Sequence, residues 1–362
     1  MKSTATVMAV AKMIEAGVFG SDSRFLSFTL DGQHNAIDQF ASSILYGTIT
    51  VGDCDCHQRS YRLVFKFKYT VPEVRELIKN DKQFHNETLF YERILPFLMD
   101  CCSQKDDDEA TIPTLCRYFY GRNDCGDLVN QDIVVLENDA VRGYRMAVTD
   151  HRLCLDFDHL VVAIRALAKF HGLSYRAKHV DRKTFEDLVA EVQETQWDDN
   201  GRWGLLDKEV GGLLAVALDR IIERRGGGGG DVDRRVHRFR TELLADASDT
   251  LRRVMEPTEP LSVLCHGDFN RNNLMFRYDD GGGGRPVDAL PYDMATVRYG
   301  SPALDLSFFL YMNTDRRTRD DHWDALLDAY CGTLAAVAGD VPVPDRRRLD
   351  AEMREHAFYG LA

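Results

Sequence analysis

Cys265-His-Gly-Asp-Phe-Asn-Arg-Asn-Asn-Leu-Met275, followed by Tyr292-Asp293, is the stretch that decides the fold of this chain. It places Asp268 five residues before Asn273, and Asp293 follows twenty residues later. Transfer of a phosphoryl group from a nucleotide to a hydroxyl needs a carboxylate for the acceptor proton and oxygen ligands for Mg²⁺. The spacing therefore predicts Asp268 as the catalytic base and Asn273 and Asp293 as metal ligands. Each residue alone also fits a turn or a strand end, and their combination after an apolar strand favours the site.

A hairpin is predicted between the two parts of this motif. Residues 274–278 and 287–292 have strand patterns on either side of a glycine run at 281–284. The midpoint between Asn273 and Asp293 is position 283. A hairpin centred there places the two residues opposite one another, with Cβ atoms about 5 Å apart. A register slip of one or two residues would keep them neighbours.

A buried acid in the N-terminal half predicts an ion pair. Residues 72–98 have a helical pattern, and Glu87 falls within its apolar stripe. The other members of the stripe are Phe84, Thr88, Tyr91, Leu95 and Leu98. A carboxylate that faces a core is costly unless it is paired, and the strand at 61–69 offers Lys66 and Lys68, of which Lys66 is better centred. In kinases a strand lysine held by a helix glutamate binds the nucleotide phosphates. A structural ion pair, or a solvated lysine with Glu87 at the edge of the stripe, are the alternatives.

The remaining elements alternate between strands and helices. The helix at 72–98 is expected to be interrupted near Asn80 and perturbed at Pro96. An amphipathic helix is predicted over 157–171, with Gly172 as its stop. Strands are also predicted at 42–51, 61–69, 132–137 and 261–265, and helices at 205–224 and 232–255.

The bulk composition limits the class of protein. A hydrophobic fraction of 44% is ordinary for a globular chain, and the net charge of −13 argues against nucleic acid or an acidic membrane as a partner. No apolar run approaches the ~20 residues that span a bilayer. Lys12 and Glu15 interrupt the N-terminal apolar residues, so no signal peptide is expected. Nine cysteines without a leader then predict a reduced, cytoplasmic protein.

Two other patterns are interpreted as loops rather than sites. Cys54-Asp-Cys56-His57 has the wrong spacing for common zinc sites and no second ligand pair follows it, so a polar turn is expected. The glycine runs at 226–230 and 281–284 lack the Lys-Ser/Thr ending of a P-loop. Both are therefore expected to be loop spacers.

Several stretches together carry a resemblance to one known family. They are Gln39-Phe-Ala-Ser-Ser43, Leu63-Val-Phe-Lys66, Phe84-His-Asn-Glu-Thr-Leu-Phe-Tyr-Glu-Arg-Ile-Leu-Pro96, Val135-Leu-Glu-Asn138, Leu167-Ala-Lys-Phe-His171, His266-Gly-Asp268 with Asn273, and Tyr292-Asp-Met294 leading to Arg298-Tyr-Gly-Ser-Pro-Ala-Leu-Asp-Leu306. With these motifs the chain resembles the ecdysteroid kinase-like family, a branch of the choline kinase and aminoglycoside phosphotransferase group with a protein-kinase-like fold. The resemblance runs from about Gln39 to the C-terminus.

The resemblance implies an α+β, bilobal protein-kinase-like fold. A small antiparallel sheet and a helix would form an N-lobe at residues 1–137 that covers the nucleotide. A larger, mainly helical C-lobe at 138–362 would carry the catalytic loop, the metal site and the substrate helices. The chain ends at Tyr359-Gly-Leu-Ala362, earlier than the family usually extends, so either the last helix docks or the C-terminus is truncated.

The resemblance also implies a role for each candidate residue. Lys66 would hold the nucleotide phosphates, and Glu87 would hold Lys66. Asp268 would be the catalytic base, while Asn273 and Asp293 would bind Mg²⁺. Supporting assignments are Phe40 and Ser42 in the nucleotide-covering turn, Glu137 at the hinge, His266 on the catalytic loop and Asp305 as structural support for that loop.

Three departures from the family pattern are present. Met294-Ala295 follows Asp293 where Phe-Gln is usual, Asn138 stands where an acid is common after the hinge, and the glycine run at 281–284 lengthens the hairpin turn. None of these departures removes a catalytic group.

The expected function is ATP- and Mg²⁺-dependent phosphorylation of a hydroxyl on a small molecule, ecdysteroid-like or another alcohol. One alternative is a catalytically silent kinase-like scaffold that binds a lipid or steroid, and a lesser one is a choline or ethanolamine kinase. A protein kinase is disfavoured because His266-Gly-Asp268 replaces the His-Arg-Asp loop and no Ala-Pro-Glu segment follows Asp293. The oligomeric state and the acceptor stay open.

Overall fold

A computed structural model describes residues 2–31, 43–53, 57–102, 111–124, 126, 131–148, 154–204, 206–207, 211–224, 230–279 and 284–361. The strands are β1 Arg24–Leu30, β2 Ser43–Gly52, β3 Gln58–Phe67, β4 Tyr118–Arg122, β5 Ile133–Glu137, β6 Val263–Cys265, β7 Leu274–Tyr278, β8 Pro286–Pro291 and β9 Arg298–Gly300. The helices are α1 Lys2–Glu15, α2 Pro72–Leu77, α3 Asn80–Leu89, α4 Leu95–Cys102, α5 Phe157–Val189, α6 Gly211–Arg224, α7 Asp231–Ala245, α8 Ala247–Val254, α9 Pro302–Asn313, α10 Arg316–Ala338 and α11 Arg346–His356. Within these described ranges, no helix combines the length and the apolar character needed to cross a membrane.

Five strands form one antiparallel sheet in the order β1-β2-β3-β5-β4. The strands predicted at 42–51, 61–69 and 132–137 are present as β2, β3 and β5, with ends shifted by at most three residues. Two small ladders, β6 with β9 and β7 with β8, lie in the C-terminal half.

Strand β3 presents opposite faces to the core and to the candidate site. Leu63 and Phe65 are fully buried in a cluster that includes Met13 of α1 and Val135 of β5. Because side chains alternate along a strand, Lys66 points to the other face of the sheet. The burial pattern of β3 thus directs Lys66 away from this apolar cluster.

The helical pattern at 72–98 is broken at both places that the sequence indicates. Helix α2 ends before Lys79, which adopts a left-handed conformation with φ 52°. A π-helical turn at Phe90–Ile94 precedes Pro96. A proline cannot donate the intrahelical hydrogen bond and crowds the carbonyl four residues earlier, so a wider turn before it accommodates the continuing helix.

The prediction that Gly172 stops a helix is wrong. Helix α5 runs through this glycine and ends at Val189. Gly172 is buried against α10, where an added Cβ atom would lie 2.6 Å from Val337 Cγ1. The missing side chain therefore allows two helices to approach closely. Non-helical backbone occurs later, at Asp181, with φ −148° and ψ 83°.

The helix predicted at 232–255 is divided into α7 and α8. Asp246 interrupts it with φ −157° and ψ 96°, and its carboxylate caps α8 by accepting from the Asp249 amide at 2.8 Å. Of the helix predicted at 205–224, residues 211–224 form α6, and the strand predicted at 261–265 is the shorter β6.

The rest of the chain packs helices around one large core. Helices α5, α9 and α10 and the hairpin β7–β8 contribute Leu167, Phe309, Tyr330 and Phe276 to it. A small antiparallel sheet followed by a larger, mainly helical part confirms the predicted α+β architecture. The lobe division at 137/138 stays a prediction.

Candidate active site

The loop that carries Asp268 is supported by a buried carboxylate. Strand β6 ends at Cys265, and the amides of His266 and Gly267 then donate to Asp305 Oδ2 at 2.6 Å and Oδ1 at 2.9 Å. Asp305 lies in the first turn of α9, where the N-terminal end of the helix also favours negative charge. Two backbone donors on one carboxylate fix the direction in which the loop leaves the strand.

A histidine and a tyrosine continue this support into the core. His171 Nε2 lies 3.1 Å from Asp305 Oδ2, and Nδ1 lies 2.8 Å from Tyr330 Oη. Burial opposes the charge of Asp305. The hydrogen bond from His171 and the charges of His171 and His266 outweigh burial, so the pKa of Asp305 is below its ordinary value. The support for the loop is therefore an ionised carboxylate.

Position 267 requires both a left-handed backbone and the absence of a side chain, and glycine is the amino acid that satisfies both. Its φ is +83°, and an added Cβ atom would lie 1.9 Å from Thr296 O. A side chain is excluded at this position, which gives a steric reason for glycine in place of the arginine of the His-Arg-Asp loop.

Asp268 accepts two side-chain amides. Asn270 Nδ2 donates to Asp268 Oδ1 at 2.7 Å, and Asn273 Nδ2 donates to Oδ2 at 2.8 Å. Burial raises the pKa of Asp268, and the charge of Asp293 adds to this, while His266 and the two amides act in the opposite direction. Neutral amides orient the carboxylate without protonating it, and a raised pKa makes it a better proton acceptor.

The hairpin is one step away from its predicted register. Leu274 pairs with Pro291, and the Tyr292 amide donates to Asn273 O at 3.1 Å. Asn273 therefore faces Tyr292, and Asp293 is one residue further on. The prediction that Asn273 and Asp293 face each other directly is wrong by one residue, because the ladder that pairs Leu274 with Pro291 is centred half a residue before position 283.

Lys66 connects the sheet, helix α3 and the segment after β8. Its Nζ donates to Glu87 Oε2 and to Asp293 Oδ1, each at 2.7 Å. Lys66 is 7% exposed and Glu87 is fully buried. Lys68, the other candidate partner of Glu87, instead forms an ion pair with Asp132 at 2.9 Å. The structure thus selects Lys66 from the two lysines.

The three charges of this group affect one another strongly. Burial opposes the charge of Lys66, but Asp293 and Glu87 outweigh it and raise the pKa of Lys66. Burial also opposes the charge of Asp293, and Lys66 outweighs it, so the pKa of Asp293 is lowered. For Glu87 burial is the larger effect and raises its pKa, with Lys66 acting against it. Lys66 is therefore the residue whose removal would disturb both carboxylates.

Asp293 itself has an unusual backbone. It adopts a left-handed conformation, with φ 66° and ψ 70°, at the start of a short 3₁₀ turn over Met294–Thr296. Aspartate tolerates this region better than most residues, and such conformations often occur at functional sites. Met294 and Ala295, the departure from the usual Phe-Gln, are both buried behind it.

Comparison with known proteins places this geometry in a family. The model of the ecdysteroid kinase-like family matches residues 36–342. The chain belongs to the ecdysteroid kinase-like family. Its membership, with the fold, indicates a kinase-like small-molecule phosphotransferase.

No curated protein matches this ecdysteroid kinase-like chain. Among solved structures it is similar to the crystal structure of an aminoglycoside-3'-phosphotransferase of type VIII, with 13% sequence identity and a TM-score of 0.36. That similarity covers 95% of this chain and 98% of the other.

Two asparagines of the site are missing from the sequence-based assignment. Asn270 orients Asp268, and the sequence signal was a second amide two residues after the acid. Asn86 is fully buried beside Glu87, and its Nδ2 donates to Ala295 O at 3.3 Å and to Gln193 O at 2.8 Å. It ties α3 to the segment after Asp293, a contact between distant residues that sequence spacing does not reveal.

The structure describes only some of the supporting residues. His266 Nε2 lies 2.9 Å from Tyr292 O, so this ring links the loop of Asp268 to the segment after β8 that carries Asp293. Glu137 ends β5, with its amide donating to Arg117 O at 2.8 Å. The structure does not describe Phe40, Ser42, Cys54, Cys56 or residues 225–229 and 280–283. The catalytic roles of all candidate residues stay predictions.

Proposed function

We propose that this chain transfers the γ-phosphoryl group of ATP, in the presence of Mg²⁺, to a hydroxyl of a small molecule. The observation that carries the proposal is Lys66, whose ammonium lies 2.7 Å from both Glu87 Oε2 and Asp293 Oδ1. The oriented carboxylate of Asp268 belongs to the loop that is linked to Asp293 through His266. A strand lysine, its helix glutamate and a loop aspartate are the parts that phosphoryl transfer uses.

The charge and donor atoms of the site fit a nucleotide with its metal. Glu87 and Asp293 both pair with the Lys66 ammonium, and the charge of Asp293 also acts on Asp268, so negative charge is in excess and suits a divalent cation. Because Asn273 uses its amide nitrogen toward Asp268, its amide oxygen is the atom it offers to a metal. Asn273 and Asp293 would hold Mg²⁺ and Lys66 the phosphates, and Mg²⁺-ATP would supply the phosphoryl group with part of its charge neutralised.

Asp268 is proposed to orient the acceptor hydroxyl and to accept its proton. Its two amide partners, Asn270 and Asn273, donate to its two oxygens and fix the plane of the carboxylate. The raised pKa of Asp268 makes its carboxylate a stronger base. Catalysis would then come from positioning and from charge stabilisation rather than from a covalent intermediate.

The acceptor is proposed to be an ecdysteroid-like or another small alcohol. Membership of the ecdysteroid kinase-like family supports this class. A panel of steroid alcohols, other secondary alcohols, choline and ethanolamine, assayed with labelled ATP, would identify the acceptor.

The test of the proposed function is Asp268→Ala. We expect it to abolish phosphorylation of the acceptor and to leave stabilisation by ATP with Mg²⁺ nearly intact, because Asp268 is proposed to act on the hydroxyl. Asp321→Ala, on the outer part of α10, is the surface control and should keep wild-type turnover. Wild-type turnover by Asp268→Ala would contradict the assignment of the base. A wild-type protein that ATP with Mg²⁺ does not stabilise would contradict the function and favour a ligand-binding scaffold.

The compartment is proposed to be the cytoplasm. Cys101, Cys102, Cys116, Cys154, Cys265 and Cys331 are free thiols in the part of the chain that the structure describes. Free thiols of this number are usual where the environment is reducing, which supports the proposal.

A further inference from the structure

A cluster at the C-terminal end of α11 is not used by the site above. Glu352, Glu355 and His356 each offer one ligand atom, and these atoms all lie within 4.8 Å of one another. Glu352 is 4% and His356 is 5% exposed, whereas Glu355 is at the surface. Helix α11 lies beyond the residues 36–342 that the family model matches, so family membership assigns no role to it.

The tautomer of His356 is set by a backbone carbonyl. His356 Nδ1 lies 2.5 Å from Val254 O, and since a carbonyl only accepts, Nδ1 carries a proton. In the neutral ring Nε2 then presents a lone pair. This nitrogen is buried and has no hydrogen-bond partner among the residues that the structure describes. It is therefore an unused ligand atom directed into the cluster.

The spacing of the nearest carboxylate suits a shared metal ion. Glu352 Oε2 lies 3.5 Å from His356 Nε2 without hydrogen-bond geometry. Ligands held by tetrahedral Zn²⁺ at about 2.0–2.1 Å lie about 3.3–3.5 Å from one another. A protonated His356 that forms an ion pair with Glu352 is the competing explanation, and it needs no metal.

Both sides of the cluster support a metal site. The Ser301 hydroxyl donates to Glu352 Oε2 at 2.6 Å. In metal sites, carboxylate ligands are commonly oriented by such a hydrogen bond from a residue outside the ligand set. On the other side, Glu355 and His356 line a cavity of about 330 Å³, whose other charged lining residues are Glu242, Glu256 and Arg253. The cavity gives a cation access and leaves room for a water ligand.

We propose that Glu352, Glu355 and His356 form a zinc site. Imidazole nitrogen, carboxylate oxygen and water are all ligand types that zinc takes in proteins, and together they would give four-coordinate zinc here. Ser301 is the N-cap of the helix that carries Asp305, so bound zinc would connect α11 to the support of the catalytic loop. The proposal does not depend on the proposed phosphotransferase activity.

Zinc binding to the full chain tests this site. Protein treated with a chelator, freed of it and kept without nucleotide is titrated with ZnCl₂ by calorimetry. The wild type should bind one equivalent and gain a few degrees in Tm. Glu355→Gln and His356→Gln should weaken binding at least about tenfold. Glu256→Gln, in the same cavity but outside the ligand set, should bind as the wild type does.

Cobalt(II) in place of zinc identifies the ligands. A tetrahedral site of nitrogen and oxygen atoms should give visible absorption without a thiolate charge-transfer band. A thiolate band would indicate binding at a cysteine, such as the cluster of Cys265 with His171 and Asp305, and would overturn the proposal. Glu355 is exposed, so Glu355→Gln should fold even if His356→Gln does not. Unchanged zinc affinity in Glu355→Gln, or no binding by the wild type, would favour the ion pair instead.

Discussion

Replacing Gly267 by alanine should destabilise the protein and displace the catalytic loop. Gly267 has a φ of +83°, and an added Cβ atom would lie 1.9 Å from Thr296 O. Gly143 has almost the same φ, +82°, with nothing within 4 Å of the added atom. The two alanine variants therefore separate the cost of a left-handed backbone from the cost of the collision.

The expected loss in the free energy of unfolding is the sum of these two contributions. Gly143→Ala should lower the free energy of unfolding by about 1–2 kcal/mol, the usual cost of a left-handed conformation for an L-residue. Gly267→Ala has the same cost and must also open a contact of 1.9 Å to at least 3.0 Å. A shift of this kind in a packed region costs about 1–3 kcal/mol more, which gives a total of about 2–5 kcal/mol. Since a misplacement of about 1 Å can cost about 10²-fold in rate, displacement of Asp268 should lower turnover by a similar factor.

Urea unfolding followed by circular dichroism measures the stability of both variants. Turnover is measured with labelled ATP on the acceptor found in the alcohol panel. The reasoning is refuted if Gly267→Ala loses no more stability than Gly143→Ala, or if it turns over at the wild-type rate.

Two further predictions concern the carboxylates of the site. Glu87→Gln removes one charged partner of Lys66 and should weaken binding of ATP with Mg²⁺ roughly tenfold to hundredfold, as measured by thermal shift. Glu73 is exposed, so Glu73→Gln should leave this binding unchanged. Equal binding by both variants would contradict the role of Lys66. Asp305→Asn should lower the free energy of unfolding at neutral pH by about 3–5 kcal/mol, because it removes one partner of a buried pair. The folded-state pKa of Asp305 is below its unfolded value, so its stabilisation is present above about pH 4 and is lost as pH falls through the lowered pKa. Urea unfolding across pH 3–7 should therefore show the difference between wild type and Asp305→Asn narrow toward acid, and a difference that stays constant would argue against this pKa.

The parts of the site that could be predicted from sequence are those set by local spacing. Asp268 and Asn273 belong to one short loop, and alternation along β3 leaves Lys66 on the face opposite to Leu63. Glu87 was predictable because a carboxylate in an apolar stripe needs a base, and the structure brings it to Lys66. Each of these predictions relied on residue spacing within a short segment, or on the need of a buried carboxylate for a partner of opposite charge.

The predictions that were wrong, and the contacts that were not predicted, depend on residues that are distant along the chain. Glycine both ends helices and permits close helix packing, and only the position of Val337 shows that Gly172 does the second. The hairpin register depends on where the turn is centred, which alternation does not specify, so Asn273 faces Tyr292 instead of Asp293. The contact of Asn86 with Ala295 could not be predicted for the same reason.

The arrangement of these contacts divides the site into two units. His266 contacts Tyr292 O, and Gly267 lies against Thr296, so the loop with Asp268 is joined to the segment with Asp293 on both sides of that residue. Lys66 and Glu87 form the other unit, which contacts the first through the hydrogen bond from Lys66 to Asp293. A substitution that loosens the loop should therefore disturb the proposed base and the proposed metal ligand together. One at Glu87 should act on nucleotide binding and leave the geometry around Asp268 unchanged.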